Sequence, residues 1–69
     1  MQKFDEYDTF ILKVDLPEHG LQKGRRGVVL LVLKDHDSIG YAVEFVSSNG
    51  ETIGPFVIDD SVMQSDNGD

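Results

Sequence analysis

A chain of 69 residues is a single domain, and one this short buries only about 60% of the surface its unfolded form exposes. Cysteine is absent, which excludes disulfides and thiolate zinc centres, fits a reducing compartment, and leaves packing or a partner subunit to supply the missing stability. Thirteen acidic residues against six basic ones give a net charge of −7, a field that repels nucleic-acid phosphates and anionic membranes, favours a basic partner and keeps the chain soluble.

Residues 1–8 turn acidic before an apolar signal region forms, so no export signal is expected and the cytoplasm is the expected location. Phe4 and Tyr7, three apart, predict one helical turn with its apolar side laid on the domain. The domain proper is read as residues 9–64. Its first strand, Thr9 to Val14, is rich in β-branched and aromatic residues. A long loop from Asp15 to Gly24 follows, broken by Pro17, Gly20 and Gly24, with Leu16 and Leu21 expected to tuck beneath it.

The second strand is Val28 to Leu33, too short to span a bilayer as a helix, and the polar run Lys34 to Gly40 reads as a hairpin loop. In the third strand, Tyr41 to Val46, a period of two turns Tyr41, Val43 and Phe45 one way and Glu44 the other. Ser47-Ser48-Asn49-Gly50 is a tight turn in which Gly50 supplies a positive φ. Glu51 to Gly54 is the fourth strand, with Pro55 marking a sheet edge and Phe56-Val57-Ile58 a continuation. Asp59-Asp60-Ser61 suits a short 3-10 turn and Val62-Met63 a closing strand, and residues 65–69 read as a disordered acidic tail. Short strands punctuated by turns, with no helix-length periodic segment, predict an all-β, five-stranded small barrel.

From Thr9 onward the order of features resembles the SH3-like barrels of the KOW, photosystem-accessory and nitrile-hydratase-β type. The features concerned are an apolar strand, a long loop with a leucine, Gly24-Arg25-Arg26-Gly27-Val28-Val29, and an aromatic-led strand. More closely, Asp15-Leu16-Pro17, Gly20-Leu21, Gly27-Val28-Val29, Tyr41-Ala42-Val43-Glu44-Phe45 and Gly50-Glu51-Thr52-Ile53 resemble a family of short bacterial proteins of unknown function. The resemblance spans Thr9 to about Met63 and implies an SH3-like fold. Members of that family stand beside toxin-type or mobile-element genes, which implies an antitoxin, immunity or adaptor role. The more distant likeness implies, as alternatives, an accessory domain of a redox or hydratase-type enzyme, or a weak KOW-like nucleic-acid binder. The resemblance brings no catalytic residues, metal ligands or cofactor. One departure stands out, because relatives place a polar residue within the second strand and this chain has none from Val28 to Leu33.

That strand is the main candidate for function. Alternate residues of a free-standing barrel strand face water and are expected to be polar. Here either Val28, Leu30 and Val32 or Val29, Leu31 and Leu33 are left over, and the surplus predicts a protein partner or a homodimer built on this strand unless a bulge or terminal segment covers it. The one basic cluster, Lys23, Arg25 and Arg26, is the nucleic-acid alternative, but no aromatic residue interleaves it and the remaining charge is acidic. Asp35-His36-Asp37 reads as a solvated loop tip and His19 as an exposed loop histidine. The paired Asp59 and Asp60 read as turn residues. With no nucleophile motif, no phosphate-binding glycine loop and no space for a substrate inside so small a barrel, the expectation is a non-catalytic binding protein without cofactor or metal.

Overall fold

The computed structural model describes residues 2–66. Five antiparallel strands form one sheet: β1 (Thr9–Leu12), β2 (Arg26–Asp35), β3 (Ser38–Val46), β4 (Thr52–Ile58) and β5 (Met63–Ser65), in the order β4-β3-β2-β1-β5. Among the described residues the helical pieces are two 3-10 turns, Pro17–His19 between β1 and β2 and Asp60–Val62 between β4 and β5. The all-β, five-stranded architecture read from the sequence is the one observed.

The core draws on nearly every element. Phe10 and Leu12 of β1, Leu21 of the first loop, Val29 of β2, Tyr41, Val43 and Phe45 of β3, and Met63 of β5 are buried in one cluster with Phe4. Phe56 and Ile58 of β4 pack against the same cluster. Both edge strands thus contribute side chains to one core, so the sheet curls around it. The period of two read in the third strand holds, with Tyr41, Val43 and Phe45 inside and Ala42 and Glu44 half-buried on the other side. Leu16 and Leu21 bridge each other beneath the first loop, as expected.

Several boundaries move. The polar run Lys34 to Gly40 is mostly strand: Lys34 pairs with Ile39 and Asp35 with Ser38, leaving a two-residue turn of His36 and Asp37, with His36 at φ 54°. Polar residues there mark a hairpin that projects into water, not a break in pairing. β4 continues through the cis Gly54–Pro55 bond, slipping by one residue against β3 between the Val43–Phe56 and Phe45–Ile53 pairs. It does so as a sheet edge, with Gly54 at φ 116° and a Cβ there 2.8 Å from the Val43 carbonyl oxygen. β1 stops at Leu12, and β5 takes in Ser65. Asp66, read as tail, is held by Arg26 and Thr9; residues 67–69 lie outside the described residues.

The predicted N-terminal helical turn is replaced by an extended segment with a bend at Glu6 and Tyr7. Tyr7 takes φ 70°, its N–H donates to Val29 O at 2.6 Å, and Val29 N–H donates to Asp8 O at 2.9 Å. Asp8 N–H still closes a turn on Asp5 O at 3.1 Å, but the positive φ of Tyr7 and the bonds to Val29 make it a tight reversal and not a helical turn. At its start the buried Tyr41 hydroxyl accepts from Lys3 N–H at 3.0 Å and Phe4 N–H at 3.4 Å. The Phe4 ring meets Tyr41 edge-on at 5.6 Å and Phe10 at 6.3 Å.

Tyr41→Phe keeps the ring and removes the acceptor, so we expect a loss of about 1–2 kcal/mol in urea unfolding with faster hydrogen exchange at the Lys3 and Phe4 amides. Gly27 faces the rings directly, since a Cβ there would lie 2.7 Å from Phe45 Cε2 and 2.8 Å from Phe10 Cζ. Gly27→Ala is accordingly expected to cost about 1–3 kcal/mol by overpacking, measured in the same denaturation series.

Candidate functional site

β2 carries one residue more than its partner between Val29, which pairs with Val43, and Leu31, which pairs with Ala42. Leu30 is the extra residue of this β-bulge, and one added residue reverses which alternate side chains face inward. Before it, Gly27 and Val29 are buried; after it, Val32 packs against the core while Leu31 and Leu33 turn out. Neither alternating set expected from the sequence is therefore surplus as a whole. Val29 and Val32 belong to the interior, and Val28, Leu31 and Leu33 lie on the outer face, with Leu30 half-buried at the bulge.

Directly opposed residues of an antiparallel pair share a face. Leu31 opposes Ala42, Ala42 opposes Val57, and Leu33 opposes Gly40. The outer face of β2, β3 and β4 thus bears Leu31 at 51% exposure, Leu33 at 41% and Val57 at 59%, with Ala42 and Gly40 between them. The Val57 side chain leans over Gly40, where a Cβ would come within 2.9 Å of Val57 Cγ1. Toward β1 the surface continues as a shallow, mostly apolar hollow lined by Thr9, Arg26, Gly27, Val28, Glu44 and Val46. Ala42, Gly40 and Val57 were missed in the sequence, although the period of two that buries Tyr41, Val43 and Phe45 already assigns Gly40 and Ala42 to the outer side.

Charges stand at the two ends of β2 on this face, and Glu44 of β3, opposite Val28, lies half-buried on it. Along β2, Arg26 precedes Val28 and Asp35 follows Leu33. Arg26 Nε lies 3.0 Å from Asp66 Oδ2, which also accepts from the Thr9 hydroxyl at 2.8 Å, yet its side chain remains 67% exposed. Asp35 is exposed beside His36. Beyond the end of β4, Asp59 continues the extended backbone after Ile58. Hydrogen bonds from Ser61, its side chain first and then its backbone N–H at 2.9 Å, hold the Asp59 carboxyl below the ordinary 3.8, with the Lys3 charge adding to the effect.

The other sequence candidates are dispersed. Lys23 sits on the first loop, where its N–H donates to Asp15 Oδ1 at 2.8 Å, and the Arg25 guanidinium donates to Val46 O at 3.2 Å. With Arg26 on Asp66, both arginines are engaged by their own chain. Asp35, His36 and Asp37 occupy the exposed hairpin tip, and among the described residues no group of three His, Cys, Asp or Glu side chains converges as a metal site would. His19 is not the exposed loop residue expected: it is half-buried, its ring stacked on Phe56 at 3.6 Å with the planes 1° apart. No local signal announces a contact between residues so far apart in the chain.

These features define a small all-β domain with a continuous apolar outer face between charged ends. The chain belongs to the family described as a domain of unknown function (DUF4926), whose model matches residues 6–64. The match starts at residue 6, before the Thr9 expected, and so includes Tyr7 and Asp8, which pair with β2. No curated protein and no solved structure gives a significant match to the chain.

Asp59 provides a pH prediction. A folded-state pKa below the unfolded value contributes stability above the ordinary 3.8, and that contribution is lost as pH falls through the folded-state midpoint. Carboxyl carbon NMR is expected to show Asp59 titrating below 3.8, and Ser61→Ala to move its midpoint back toward that value.

Proposed function

We propose that this protein is a non-catalytic protein-interaction module on an SH3-like barrel, working in the bacterial cytoplasm as an antitoxin, immunity or adaptor protein. The strand order β4-β3-β2-β1-β5, with a long loop after β1 and a 3-10 turn between β4 and β5, supports the barrel reading. The observation that carries the function is the outer face. Isolated exposed apolar residues are ordinary, but Leu31, Leu33, Ala42 and Val57 are contiguous across three strands, and contiguous apolar surface marks a contact. A chain with so little core of its own gains stability from covering it. The strongly acidic charge adds selectivity by repelling nucleic acid.

The test is co-purification of a tagged chain from its native host, comparing the wild type with Leu31→Glu and with Lys13→Glu, whose residue is exposed just past β1. The expected outcome is a stoichiometric protein retained by the wild type and by Lys13→Glu and lost with Leu31→Glu. Retention by both Leu31→Glu and Val57→Glu would overturn the assignment of the contact to this face.

A further inference from the structure

The outer face is complementary to itself. Because the bulge takes up one residue, Arg26 and Val28 precede Leu31 by the same number of outward steps as Leu33 and Asp35 follow it in reverse order. From one end the face reads cation, apolar, Leu31, apolar, anion. Turning the chain over about an axis along the row Leu31–Ala42–Val57, across the strands, lays each strand antiparallel on its own copy. That operation brings Arg26 over Asp35 of a second copy and Val28 over its Leu33, twice by symmetry, while Leu31, Ala42 and Val57 each meet their equivalents on the axis.

We propose that the occupant of this face is a second copy of the chain, packed sheet on sheet in this antiparallel register. The proposal rests on the protein-interaction reading above and names its partner. Packed sheets lie about 10 Å apart, a gap that side chains from both inner faces fill. Here the filling is shaped in advance. The second copy's Leu33 arrives at the hollow lined by Thr9, Arg26, Gly27, Val28, Glu44 and Val46, and Ala42, with its short side chain, leaves the centre of the face low. Arg26 holds Asp66 through Nε and Nη2, at 3.0 and 3.3 Å, and its remaining guanidinium N–H groups, on a side chain 67% exposed, are the ones directed to Asp35 of the second copy. Asp35, which opposes Ser38 at the hairpin end, is exposed 3.6 Å from the His36 ring. A two-fold arrangement closes on itself, so it yields dimers and not filaments.

Charge explains why a second copy is favoured over an unrelated partner. A face with Arg26 at one end of β2 and Asp35 at the other suits a partner with the same residues in reverse, which the chain supplies under a two-fold. The net charge of −7 on each copy opposes association at long range. The apolar row and the two ion pairs must offset that repulsion at short range, and added salt helps by screening it.

Sedimentation equilibrium over a dilution series tests the proposal. The wild type is expected at twice the chain mass at high concentration, and Leu31→Glu and Val57→Glu at the chain mass with unchanged far-ultraviolet circular dichroism. Asp35→Arg and Arg26→Glu, each placing like charges together twice, are expected to weaken association by about tenfold or more, and the double variant to recover most of the loss. A wild type that stays at the chain mass throughout overturns the second-copy occupant; the interaction reading is then judged separately, on whether Leu31→Glu loses the host protein. A dimer that survives both Leu31→Glu and Val57→Glu overturns the face. Singles that weaken it without recovery in the double variant overturn the register.

Discussion

Leu30 stands between Val29, opposite Val43, and Leu31, opposite Ala42, and this one-residue slip in β2 decides what the rest of the molecule can do. Without it, strict alternation would carry Leu31 and Leu33 into the core beside Val29 and turn Val32 outward. With it, Val29 and Val32 both reach the interior, on either side of the irregularity. The N-terminal segment supports the same place from the other edge, through the reciprocal backbone bonds of Tyr7 and Asp8 with Val29. The bulge therefore bends the strand that pairs with both β1 and β3, and bending it is what lets the sheet roll around a core.

That core is aromatic and tightly fitted. Phe10 meets Phe45 edge-on at 5.5 Å, Phe45 stacks at 6.0 Å on Phe56, and Phe4 closes the row against Tyr41. Gly27 is needed where β2 passes these rings because the rings occupy the space a Cβ would need. The buried hydroxyl of Tyr41 is satisfied by backbone N–H groups of residues far away in the chain, which makes the N-terminal segment part of the fold. In a domain this small, one such tie is a large share of the whole stability.

Much of this was legible in the sequence. Alternation at Tyr41, Val43 and Phe45 gave the buried side of β3, and Gly50 gave the turn before β4, where Gly50 N–H donates to Ser47 O at 2.9 Å. The apolar run from Val28 to Leu33 was recognised as anomalous. Which of its residues face out was not readable, because a bulge leaves no mark in a uniformly apolar run and reverses the answer halfway along. Polar side chains at Lys34, Asp35 and Ser38 hid the length of the hairpin, since solvated strand ends and loops draw on the same residue types. The N-terminal turn failed because the spacing of Phe4 and Tyr7 says nothing about the Tyr41 hydroxyl and the Val29 carbonyl that take up their N–H groups.

The stack of His19 on Phe56 has a use apart from folding. A ring lying parallel above another at 3.6 Å sits in the shielding cone of its neighbour, so the imidazole protons of His19 resonate upfield of an unstacked histidine. The chain has two histidines, and the other, His36, projects from the hairpin tip into solvent. One proton spectrum thus contains both a reporter and its internal reference. The separation between the two imidazole signals tells whether the first loop is seated on β4, without any label attached to the protein.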